Sequence, residues 1–132
     1  MKSEKKGSGS YKNGTIDRRL VGWLVSYGLD KKGFNYEIRS GRTLISASGS
    51  QSIPTLELDN QSISELHLVL NATQKHKVTV QDIFSEAGSY LTRNKEKKEI
   101  KIDGPVDLQH GDWLRVGDNI RFQVCLIDGP SR

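Results

Sequence analysis

From Leu20 to Ile127 the apolar positions recur with a period of two, in short runs separated by turn residues. Phe34, Tyr36 and Ile38 alternate with polar neighbours in FNYEIRS, and Val78 and Val80 do the same in KVTVQDI. A strand puts successive side chains on opposite faces, so this alternation predicts strands with one face in a core and one in solvent. Read this way, the chain yields eleven segments: LVGWLVSY, FNYEIRS, TLISA, TLELD, HLVLNA, KVTVQDI, SYL, KEIKI, PVDL, WLRV and IRFQVCLI. Between them stand GLDKKG, SGR, DGP, HGD and VGDN, rich in the Gly, Asp and Asn that turns need. RNKEKKEIKI has a helix-like composition, but Ile100 and Ile102 alternate about Lys101. Its charged part is therefore expected at a solvated hairpin tip. Eleven strands without a helix predict an all-β sandwich with mainly antiparallel pairing. Its core is expected to take Leu20, Trp23 or Leu24, Ile38, Leu58, Val69, Val78, Val80, Ile120, Phe122 and Val124. Trp23 and Trp113 are expected to anchor their strands there.

Before Arg19 the alternation stops. Residues 1–18 are rich in Lys, Ser and Gly and read as a solvated tail. Residues 19–128 read as the folded domain, and 129–132 as a short second tail. The GSGS of the tail lacks the Gly-Lys-Ser/Thr ending of a phosphate-binding loop and reads as linker.

Composition narrows the function classes. With 34% hydrophobic and 27% charged residues in 132, the chain supports one modest core. The net charge of +4 is dispersed. Lys31, Lys32, Lys75, Lys77 and the run from Lys95 to Lys98 read as solvated faces without interleaved aromatics, which argues against nucleic acid as the partner. No apolar run approaches the ~18 residues of a membrane span, and the N-terminal segment has no apolar core of a signal peptide. The single Cys125 excludes an internal disulfide and fits a reducing, cytoplasmic setting. Alternating with Val124 and Leu126, it reads as packed or edge-facing, not reactive. His67, His76 and His110 lie on separate segments without metal-ligand spacing, so no metal or other cofactor is expected. No nucleophile elbow or Ser/His/Asp constellation is present. Asp59, Asp82 and Asp112 fall at strand ends and turns, where side chains cap backbone amides. An enzyme is therefore not expected.

The order of motifs carries more than any one of them. RRLVGWLVSY opens the domain, LDNQSISELH leads into Ser64-x-x-His67, VQDIFSEAGSYLTRN follows, and PVDLQHGDWLRVGDNIRFQV closes it. In this order the chain from about Arg19 to Ile127 resembles a bacterial forkhead-associated (FHA) domain. The resemblance implies a β-sandwich of eleven strands whose loops at one end bind phosphothreonine peptides. Such a site needs a guanidinium for the dianion, a hydroxyl beside it and groups that hold the peptide backbone.

Carried over position by position, the resemblance is uneven. The family's Gly-Arg pair falls on Ser46 and Ala47, so its cation is missing. Arg42 also follows a glycine, Gly41, but stands at the start of that strand and is expected at the opposite edge. Ser64 fits the phosphate-contacting serine, and Glu65 follows where members often carry a base. His67 matches the histidine that buttresses the loops, a structural role. Ala87 replaces the Asn that holds the ligand backbone, while Gly88 and Ser89 keep the Gly-Thr turn. Gly111, Asp112 and Gly117 also fit. Thr92 and Arg93 replace the later Asn-Gly, and Arg93 is expected at a solvated hairpin tip, with substitution for the lost cation as the other reading. The expectation is an interaction module with a degenerate phosphothreonine site, meeting a protein or peptide partner independently of phosphate. Two alternatives stay open: a phosphothreonine reader using Ser64 with Arg93 or Arg42, and an architectural domain that self-associates.

Overall fold

The computed structural model describes residues 18–49 and 52–129, and it contains eleven strands. They are β1 (Leu20–Ser26), β2 (Phe34–Arg39), β3 (Gly41–Ser46), β4 (Thr55–Glu57), β5 (Leu68–Ala72) and β6 (Val78–Asp82). There follow β7 (Ser89–Thr92), β8 (Glu99–Lys101), β9 (Val106–Asp107), β10 (Trp113–Val116) and β11 (Ile120–Leu126). One sheet has the order β2-β1-β11-β10-β7-β8 and the other β4-β3-β5-β6-β9. The all-β sandwich read from the alternation is the fold. All neighbours pair antiparallel except β3 and β4, which run parallel with Leu44 opposite Thr55 and Ser46 opposite Glu57. Of the expected tails, residues 1–17 and 130–132 lie outside the described residues.

Between the sheets, Leu24, Ile38, Leu114, Val116, Phe122 and Val124 of the first pack with Ile45, Leu68, Leu70, Val78 and Val80 of the second. Four core expectations need correction. In β5 the buried residues are Leu68, Leu70 and Ala72, and Val69 faces outward between them. Alternation in HLVLNA favours that face, because Val69 shares the other one with the polar His67 and Asn71. In β1 the pairing shifts between Leu20 and Gly22, leaving Val21 as an extra residue. This bulge turns Val21 inward, half-exposes Leu20 and puts Trp23 on the outer face. Gly22 stands where a Cβ would lie 2.2 Å from the Cys125 carbonyl oxygen, which is why β1 and β11 can approach there. Trp113 is also on the outer face, 41% exposed, because the inward positions of β10 belong to Leu114 and Val116.

β2 and β3 are consecutive but belong to different sheets, and the crossing is made at Ser40 and Gly41, the latter with φ +96°. Arg18, expected as the last residue of the tail, clasps this corner instead. Its Nε donates to Ser40 O at 2.5 Å, and its Nη2 donates to Arg39 O, Arg42 O and Thr43 Oγ1. At the same end of the sandwich the buried His76 joins the first and last strands. Arg19 Nε donates to its Nε2 at 2.7 Å, so Nδ1 carries the ring proton and donates to Ile127 O at 2.9 Å.

Candidate functional site

The other end of the sandwich gathers the connections β3–β4 (47–54), β4–β5 (58–67) and β6–β7 (83–88). His67, wholly buried, sits among them. Its Nδ1 accepts from Ser64 N at 3.0 Å, so Nε2 holds the proton and donates to Gly88 O at 2.8 Å. The backbone of His67 adds bonds to Ile45 O and from Ile83 N. The imidazole thus ties the β4–β5 connection to the β6–β7 connection, and the His67 backbone anchors both to β3 and to the residue after β6. The Ser64 hydroxyl accepts from Glu86 N at 3.0 Å, which stitches two of the loops together. Gly88 O also accepts from Gly117 N, and the Ser62 hydroxyl accepts from Asp118 N, which draws in the β10–β11 turn.

A second knot shapes the β6–β7 loop. Asp82 Oδ1 accepts from Ser85 N at 2.8 Å, and Oδ2 accepts from the Ser85 and Ser89 hydroxyls at 2.6 Å each. Burial raises the Asp82 carboxyl, but these hydrogen bonds outweigh it and hold the group below its ordinary range. A depressed folded-state value means that the stabilisation is complete above the unfolded value of about 3.9 and disappears as pH falls through the folded one. Asp82→Asn should therefore lower the urea midpoint at neutral pH, and the gap to the unmodified protein should close as pH drops below about 4. A gap independent of pH would show that the charge of Asp82 contributes nothing.

At the expected cation position, the wholly buried Ser46 donates from its hydroxyl to Ser48 O and Glu65 O and accepts from Ser48 N. Ala47 packs its methyl group against the core, and its N–H donates to Ser64 O. Ser64, Glu65, His67, Ala87, Gly88 and Ser89 all come together at this end. Gly88 has φ +87°, and a Cβ there would lie 2.9 Å from the Tyr90 hydroxyl, so the turn requires glycine.

With that geometry in view, the comparisons with known proteins are specific. The FHA domain family model matches residues 39–117, from the end of β2 to the turn after β10. The chain belongs to the FHA domain family. FHA domains are non-enzymatic interaction modules known for binding phosphopeptides. The fold is similar to that of EmbR from Mycobacterium tuberculosis in complex with a low affinity phosphopeptide. There the identity is 22%, the TM-score 0.63, and the coverage 86% of this chain and 26% of that one. This chain therefore spans about a quarter of the EmbR chain it matches. It is also similar to the FHA domain of human APLF in complex with an XRCC1 bisphospho peptide, at 14% identity and TM-score 0.64, covering 82% and 99%. The FHA domain of CT664 from Chlamydia trachomatis gives 16% identity and TM-score 0.61, covering 81% and 96%. No curated protein matches the sequence. At these identities the solved structures share the fold.

Within this FHA domain the two candidate substitute cations lie away from the loops. Arg42 pairs with Asn71 on β3, at the end where Arg18 is docked. Thr92 pairs with Trp113 at the far end of β7, and Arg93 follows it. Arg93 is not at a solvated tip: its Nη1 donates to Asp112 Oδ2 at 2.7 Å and to Asp107 O at 3.0 Å. A carboxylate with 1% side-chain exposure needs such a partner, and no local pattern points to this pairing between residues 19 apart.

The three connections of this FHA domain contain no Lys or Arg, but they hold Asp59, Glu65 and Glu86. Lys31 and Lys32 belong to the β1–β2 connection at the β2 edge, four places from β7 in the sheet order. Two residues not singled out in the sequence complete the surface. Leu66 is 42% exposed and Phe84 fully so, with φ +53°. The available signal was an aromatic placed between Asp82 and Ser85 in a turn-rich segment, where no strand face could bury it.

Proposed function

We propose that this FHA domain binds a protein partner through its three-loop end and does so without phosphothreonine. The observation that carries this reading is the charge of the connections: three carboxylates and no base. A phosphothreonine brings roughly −1.5 to −2 charge at neutral pH. Glu65 would repel it, the Ala47 methyl offers it no donor, and Ala87 lacks the amide that would hold the peptide backbone. What remains is the scaffold of an anion site, held by His67, Ser64 and the Asp82 knot.

A specific observation also favours interaction through this end. Among the described residues, six large apolar side chains are exposed, and two of them, Leu66 and Phe84, belong to its three connections. Exposed apolar side chains gathered at one end mark a contact surface. In an NMR titration with a degenerate phosphothreonine peptide library beside its unphosphorylated twin, the phosphorylated set should gain no affinity. A preference for phosphate of about tenfold or more, equal to ~1.4 kcal/mol, would overturn the reading.

A further inference from the structure

The loop end has an aromatic side chain with nothing beneath it. Phe84 is fully exposed, and its backbone lies in the left-handed region, which is an outlier for a bulky residue. That conformation is unfavourable and persists only where the surroundings enforce it. Here the enforcement is visible. Ile83 N is tied to His67 O, and Ser85 is tied to Asp82 through its amide and its hydroxyl. The knot on either side fixes Phe84 outward.

Beside it runs an open groove of about 550 Å³, between Ile83 and Phe84 on one wall and Ile102 to Gly104 on the other, with Val69 in its floor. Leu66 and Phe84 stand next in sequence to His67 and Ile83, which are joined by the bond from Ile83 N to His67 O. The rim carries an excess of carboxylates. Glu65 and Glu86 are exposed beside Leu66 and Phe84, while Lys101 and Asp103 of the far wall offset one another.

We infer that this groove takes a cationic peptide segment, with one bulky apolar side chain seated between Phe84 and the Ile102–Gly104 wall and flanking Lys or Arg side chains against Glu65 and Glu86. The inference rests on the phosphate-independent reading and adds the chemistry of the partner. An apolar anchor contributes the burial, and the opposed charges set register and on-rate. The whole domain has a net charge of +4, so long-range attraction does not draw cations to it.

The test is fluorescence anisotropy, with parallel NMR shift mapping, on a labelled unphosphorylated peptide that has a central Leu flanked by Lys. Two controls replace Lys by Glu, or Leu by Ala. The Lys/Leu peptide should bind with shifts confined to residues 64–66, 83–88 and 101–104. Affinity should fall by about tenfold or more in Phe84→Asn and in the double change Glu65→Lys, Glu86→Lys, and should weaken between about 50 and 500 mM salt. Phe84→Asn is the decisive variant, since asparagine tolerates the left-handed backbone and the variant should fold at least as stably. Equal binding of the Lys and Glu peptides, unchanged affinity in Phe84→Asn, or shifts centred on Trp113 would overturn the inference. A preference for phosphothreonine peptides would instead overturn the phosphate-independent reading on which it stands, so the two failures are told apart.

Discussion

Arg93→Ala is expected to lower the free energy of unfolding by roughly 3–5 kcal/mol, the cost of stripping a buried ion pair of one partner. Asp112 is wholly buried, and its Oδ2 accepts from both Arg93 and Gln109 N while Oδ1 has no hydrogen-bond partner among the described residues. Removing the guanidinium leaves a carboxylate in the interior with a single amide for company. The double change Arg93→Ala, Asp112→Asn should recover part of the loss, because no bare charge remains. Chemical denaturation of the three proteins measures both quantities. A variant within about 0.5 kcal/mol of the unmodified protein would place Arg93 on the surface and return it to the pool of cations able to meet a ligand.

The second expectation concerns binding. The triple change Ala47→Arg, Glu65→Arg, Ala87→Asn should create phosphate-dependent recognition, which we propose the unmodified domain lacks. Each substitution supplies a missing element: a guanidinium at the end of β3, a base in place of a repelling carboxylate, and an amide beside Gly88. Charge-assisted hydrogen bonds contribute about 1.5–3 kcal/mol each, so even one well-placed guanidinium corresponds to roughly a tenfold to hundredfold preference for the phosphorylated peptide. The hydroxyl of Ser64 and the walls held by His67 are already in position. Isothermal titration with matched phosphorylated and unphosphorylated peptides reads the preference, which should shrink with added salt. No gain in the triple variant would mean that the loop after Ser46 has drawn Ala47 out of reach of a ligand.

Much of this fold was legible in the sequence because alternation is a local signal. The bounds of WLRV and IRFQVCLI read correctly almost to the residue, although Trp113 was expected inward and lies on the outer face. The errors fell where that local signal was ambiguous. Val69 is one apolar residue in a row of three, Leu68 to Leu70, and the bulge at Val21 moves Trp23 outward through a one-residue shift that only the pairing with β2 reveals. The loop end was legible as motifs and partners for His67, since Ser-x-x-His is a contact across three residues. Arg93 with Asp112 joins residues 19 apart, and its acceptor was already explained as a turn residue. Phe84 escaped for a different reason: its significance lies in being held away from the core, and apolar patterning reports only what goes in.

The imidazole of His76 has a consequence for how such a unit can be carried by a larger protein. Because Arg19 and Ile127 both hydrogen-bond to that one ring, the chain enters and leaves the sandwich at neighbouring points. Domains with adjoining entry and exit tolerate insertion into the loop of a host as readily as fusion in line. Both connections would then occupy one pole. Leu66, Phe84 and the carboxylates beside them would occupy the other, facing outward from whatever body bears them.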